Sequence, residues 1–150
     1  MKKILLYILL LGAALILPVE GTDVGRLLPV ELVQLDKMGD SVVISTDAGA
    51  TGTGETVKAA IRDMEKTAAG IVYLDTADYL LVTESAMEEV EDIGKHLKRS
   101  VRICKQNAEL NLKDAAAYLS VHKPECQLRS YQGAQTLQML TEENGKVILK

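Results

Sequence analysis

The chain has 150 residues, one ordinary domain by size, and 47% of them are apolar, enough for a single core. Its 17 Lys and Arg stand against 21 Asp and Glu, a formal net charge of −4, so no general basic field attracts phosphate backbones and nucleic acid is not an expected partner. With no Trp or Phe and 5 Tyr, stacking platforms for flat ligands are nearly missing, and aliphatic side chains must supply the core.

Lys2 and Lys3 precede an apolar run from Ile4 to Leu17 that Pro18 breaks, and Val19 and Gly21 are small enough for the −3 and −1 positions of a signal-peptidase site. Residues 1–21 therefore read as an export signal, with 22–150 as the exported domain. The alternative is a retained anchor, but at ~1.5 Å per residue the run spans roughly 21 Å, short of a ~30 Å hydrocarbon core. Export bears on the cysteines. Cys104 and Cys126 allow one intramolecular pairing, which an oxidising compartment preserves and which closes a loop worth roughly 3 kcal/mol. The alternative is two buried thiols acting as small hydrophobes.

Val30–Leu35 (VELVQL) and Ser41–Ser45 (SVVIS) are β-prone runs around the turn chemistry of Asp36–Asp40, a hairpin. Thr46–Gly54 (TDAGATGTG) reads as a loop, and from Glu55 to Ala69 the apolar positions Val57, Ala60, Ile61, Met64 and Ala68 keep a helical period, with Thr53 as cap and Gly70 as stop. Ile71–Leu74 and Tyr79–Thr83 read as strands. Glu84 or Ser85 opens a second helix with Met87, Val90, Ile93, Gly94 and Leu97 on one face, and Lys95, Lys98 and Arg99 near its carboxyl end. Val101–Lys105 is a further strand and Leu112–Val121 a third helix capped by Asn111. Beyond His122 two readings stay open: Leu137–Leu140 and Lys146–Leu149 pair across Thr141–Gly145, or the tail is uncommitted and exposes apolar surface. The expected fold is α/β (α+β), a single two-layer domain with a mixed sheet of about 4–6 short strands and about three helices.

Each candidate for chemistry meets an obstacle. Gly49–Thr56 (GATGTGET) has the spacing of a phosphate loop, but Glu55 stands where the lysine belongs and repels phosphate, so no nucleotide is expected. Asp92 and His96 share a helix face, yet two ligands do not hold a catalytic metal. His122, Cys126 and Cys104 supply three zinc-ligand types without an evident fourth. Glu84, Glu88, Glu89, Glu91 and Asp92 have helical spacing and lack the Gly and alternating ligands of a calcium loop. No serine stands in a G-x-S-x-G setting. No catalytic residue, cofactor or metal is therefore expected.

The stretches GETVKAAIRDMEKT (Gly54–Thr67), YLDTADYLLVTESA (Tyr73–Ala86), LKRSVRICK (Leu97–Lys105) and LKDAAAYL (Leu112–Leu119) together resemble the N-terminal domain of the C-subunit lipoproteins of bacterial spore germinant receptors, the Ger(x)C family. The matching positions are Gly54, Thr56, Ala60 and Arg62, then Glu84, then Arg99 and Arg102, then Ala115 and Leu119, and VELVQLDKMGDSVVIST stands for the opening hairpin. The likeness covers residues 27–121. No Cys lies near Gly21, so lipid anchoring does not carry over, and the chain is expected to be a shortened relative. The resemblance implies an exported, non-enzymatic binding or assembly module that docks with membrane subunits of a germinant receptor or with itself, outside the cytoplasm at a membrane face. The expected interface is Tyr131, Leu137, Met139 and Leu140, which lack periodic partners. The rival is an exported metal-binding protein or small enzyme built on Cys104, His122 and Cys126.

Overall fold

A computed structural model describes residues 24–107, 109–133 and 136–150. The export signal read at residues 1–21 lies outside the described residues. Strands β1 (Leu27–Pro29), β2 (Leu32–Met38), β3 (Ser41–Thr46) and β4 (Thr51–Gly54) precede helix α1 (Val57–Thr67), which β5 (Ile71–Tyr73) and β6 (Tyr79–Thr83) follow. A 3-10 segment (Glu84–Glu89) leads into α2 (Val90–Gly94), then come β7 (Arg102–Gln106), α3 (Leu112–Val121), β8 (Met139–Glu143) and β9 (Lys146–Leu149). The main sheet has the order β4-β3-β2-β6-β7-β8-β9. Its centre, β2, β6, β7 and β8, is parallel, and an antiparallel pairing closes each flank. The α+β class is as expected, while the main sheet has seven strands rather than four to six.

Tyr79, Leu80, Leu81 and Val82 of β6 are all buried, because a central parallel strand is apolar on both sides and both sides need cover. On one face α1 and α2 set Met64, Ile61, Val90 and Ile93 against Val33, Leu35, Ile44, Leu80 and Ile103. On the other, α3 sets Ala115, Ala116 and Leu119 against Leu32, Leu81, Cys104 and Leu140. Here the expected two layers become three. Asn111 starts α3 by accepting from the backbone N–H groups of Lys113 and Asp114 at 3.0 and 3.3 Å.

Of the stretch Thr46–Gly54 expected as a loop, residues 47–50 form a turn and Thr51–Gly54 is the strand β4. β4 pairs with β3 in the register Val43 to Thr53 and Ser45 to Thr51. A Cβ on Gly52 would stand 2.1 Å from the Ala60 carbonyl oxygen and 2.4 Å from the Met64 amide nitrogen, so the missing side chain lets α1 lie directly on the strand. The cap of α1 is Thr56 rather than Thr53, its hydroxyl accepting from the Ala59 N–H at 3.2 Å. The outer edge of β4 is occupied by α1: the Asp63 carboxylate takes the Thr53 N–H at 3.0 Å and the Thr67 hydroxyl donates to the Thr51 carbonyl at 3.2 Å. An incoming strand meets no free ladder at those two groups.

The second helix of the sequence reading is a 3-10 segment for its first six residues and α-helical for five more. β1 and β5 form a separate parallel pair, in register from Leu27 with Ile71 to Pro29 with Tyr73. The tail takes the hairpin form: β8 and β9 turn at Asn144 and Gly145, whose φ angles of 54° and 74° are those of a type I′ turn.

Candidate functional site

Where β2, β6 and β7 end, beside the first residue of α3, the second face of the sheet turns polar. The pleat puts Gln34 and Asp36 of β2 on that face beside Thr83 and Gln106, and Ser45 and Thr51 continue it toward β4. A groove of about 950 Å³ opens there. Ligands of parallel sheets bind at this end, outside the carboxyl ends of the strands.

The groups of the groove are fixed by one another. One oxygen of Asp36 accepts from the Thr83 hydroxyl at 2.6 Å, from the Lys37 N–H at 2.7 Å and from the Ser85 hydroxyl at 3.3 Å. Gln34 donates its amide to the Gln106 side-chain oxygen at 3.1 Å, and Lys105 meets Glu84 at 2.7 Å on the rim. Gln106 is 5% exposed and Asp36 half-buried. Charge-assisted bonds of this kind hold a carboxylate in one orientation before any ligand arrives. The sequence carried a signal for the groove, the polar Gln34 and Asp36 alternating with apolar Val33 and Leu35, but Asp36 reads as turn chemistry when β2 is ended at Leu35.

The residues singled out from sequence lie elsewhere. Strand alternation sends the Cys104 thiol to the α3 face, whereas Cys126 packs against the cluster on the opposite face. Cys126 is anchored there because its carbonyl accepts from the Ile103 N–H at 3.0 Å. Both are thiols, and the disulfide considered from sequence is corrected: the sheet stands between the two sulfurs. His122 is exposed, its ring stacked on Tyr118 with centroids 4.4 Å apart. Cys104, His122 and Cys126 therefore do not converge, and among the described residues no three His, Cys, Asp or Glu side chains are placed to hold a metal ion. Asp92 pairs with Lys95 at 2.6 Å and leaves His96 on the surface.

The tail residues proposed as an interface are corrected in part. Leu137 is 5% exposed and Leu140 fully buried, each in one of the two cores, because β8 joins the sheet beside β7. Tyr131 and Met139 are half-buried. Of the glycines of GATGTGET, Gly52 and Gly54 lie against α1, while Gly49 takes a left-handed turn with a φ of 83°.

Burial pushes the Cys104 thiol up to about 12, and burial also raises Cys126, opposed by a hydrogen bond with Ser130. An alkylating reagent at about pH 8 is expected to label half-buried Cys126 slowly, to spare Cys104 in the native protein, and to label both in guanidinium. Mass spectrometry of the adducts checks this, and native labelling of Cys104 at the rate of Cys126 sinks it. The unfolded Cys104 thiol ionises near 8.5–9 and the native one near 12. Its contribution to stability is thus complete below the lower value and falls as pH rises through that window, where the unfolded chain has released a proton that the native one keeps.

No family model, no curated protein and no solved structure matches the chain.

Proposed function

We propose that the chain is an exported, non-enzymatic binding module that works by docking, with the membrane subunits of a spore germinant receptor as the partners that the likeness of residues 27–121 to the Ger(x)C N-terminal domain implies. The observation that carries a binding role is the polar groove at the ends of β2, β6 and β7. Its carboxylate, amides and hydroxyls are oriented in advance by Thr83, Ser85 and Gln106, so a partner need not immobilise them, and preorganisation of this kind favours affinity. No Ser or Cys of the groove stands beside a histidine among the described residues, which supports docking over acyl transfer.

Co-expression with the receptor's membrane subunits, followed by detergent extraction and purification through those subunits, tests the reading. The chain is expected to co-purify, and Asp36→Ala to reduce recovery roughly tenfold through loss of a charged hydrogen-bonding group. Circular dichroism of the variant separates lost docking from lost folding. Absence of wild-type co-purification, or recovery unchanged by Asp36→Ala, counts against the proposal.

A further inference from the structure

The hydrogen atoms of the polar groove are directed inward, and its acceptors are left over. All three bonds to Asp36 arrive at one oxygen, Oδ1, so Oδ2 meets no donor among the described residues. Thr83 gives its proton to Oδ1, and Ser85, 3.0 Å from the Thr83 hydroxyl and 3.3 Å from Oδ1, gives its own to one of the two. Gln34 donates its amide to Gln106, and its carbonyl oxygen accepts from no described group. Neither neighbouring lysine answers Asp36: Lys37 pairs with Glu89 at 3.0 Å and Lys105 with Glu84 at 2.7 Å.

A wall of this kind is complemented by a donor that carries positive charge. A guanidinium forks onto both oxygens of a carboxylate, and here one of the two is already saturated. A primary ammonium has three donors, no acceptor and no such fork. One hydrogen reaches Oδ2 of Asp36, and the others have the Gln34 carbonyl and the Thr83 hydroxyl oxygen. Val43 lies directly across from Asp36 in the β2–β3 register and Met38 two residues further on, so all three share a face. Met38 is 66% exposed, and an aliphatic stem covers such a side chain while its charged head reaches the carboxylate. Past Val43 the groove runs to Ser45, to which Thr51 donates at 3.3 Å, so the Ser45 hydroxyl keeps its own proton for a carbonyl group. We propose that the groove receives a lysine side chain of the docking partner, its ammonium on Asp36, its stem over Val43 and Met38, and its main chain against Ser45. This rests on the docking reading and names the group through which the partner is held.

Titration of the isotope-labelled protein with a capped Gly-Lys-Gly peptide, followed by backbone amide resonances, tests it. Saturable shifts are expected at Lys37, whose N–H ends on Asp36, and at Val43 and Thr83. Asp36→Asn keeps an acceptor oxygen for Lys37 and Thr83 but removes the charge, and is expected to weaken binding roughly tenfold or more. Circular dichroism verifies that the variant keeps its fold. A peptide acetylated on the lysine Nζ, and Gly-Arg-Gly in its place, are expected to bind more weakly than the lysine peptide. So is n-butylamine, which has the ammonium and the stem without the main chain. Absence of saturation, affinity unchanged by Asp36→Asn, or an arginine or acetylated peptide as tight as the lysine one overturns the proposal. Equal affinity for n-butylamine overturns it in favour of a free amine. Failed co-purification with the receptor subunits beside intact peptide binding strikes only that choice of partner, whereas intact co-purification beside failed peptide binding strikes only the lysine assignment.

Discussion

Gly52→Ala is expected to destabilise the domain by about 3 kcal/mol or more, the upper part of the range for overpacking. The reason is the identity of the atoms that a methyl group would strike. They are the carbonyl oxygen of Ala60 and the amide nitrogen of Met64, both in the hydrogen-bonded body of α1, and neither can rotate aside as the tip of a side chain does. Relief requires that the whole helix lift from β4, which uncovers Val57, Ala60 and Met64 along the strand. For a domain of this size a loss of about 3 kcal/mol lowers Tm by roughly 10 °C. Gly39→Ala is the control. Nothing lies within 4 Å of its Cβ, and only the positive φ of 61° is strained, so about 1 kcal/mol is expected. Thermal unfolding that ranks the two variants equally refutes this account of the glycine stretch.

Removal of residues 137–150 is expected to abolish cooperative folding rather than free a docking surface. Leu137 belongs to the core under α1 and α2 and Leu140 to the core under α3, so the deletion opens both faces at once. It also strips β7 of the Lys105 and Gln106 pairings with β8. A milder form of the same test is Leu140→Ala, for which a fully buried position sets a loss of 2–5 kcal/mol. A truncated chain that stays monomeric with an intact unfolding transition shows that the tail is dispensable and returns Leu137 and Leu140 to the surface.

What was legible in the sequence followed from local periodicity. The β2–β3 hairpin, α1, β6 and α3 were readable because each writes its burial pattern into consecutive residues. Val57, Ala60, Ile61 and Met64 mark one side of a helix whatever lies opposite. The strand β4 was hidden because Thr-Gly-Thr-Gly carries no apolar face of its own; its reason for being extended is β3 on one edge and α1 on the other. The β1–β5 pair was hidden for a related reason, since Leu27 meets Ile71 only after the rest of the chain has brought them together. At the site, Asp36 was visible and misplaced by the end assigned to its strand, and the opposition of Cys104 to Cys126 depends on which way two backbones face. Such facts belong to tertiary placement, which residue spacing alone does not encode.

Neighbours in the centre of the sheet are distant along the chain. Thr76 closes onto Val30, 46 residues away, through bonds of its hydroxyl to both the amide and the carbonyl of Val30, and β2 finds its parallel partner β6 only across the same span. The β2–β3 hairpin needs one tight turn and forms on a timescale of about 1–10 μs, whereas domains dominated by non-local pairings of this kind take milliseconds to seconds. Through that interval the edge of β2 that β6 later pairs with, and Leu32 beneath the later α3, stay open to water. Refolding is therefore expected to be slow and sensitive to protein concentration.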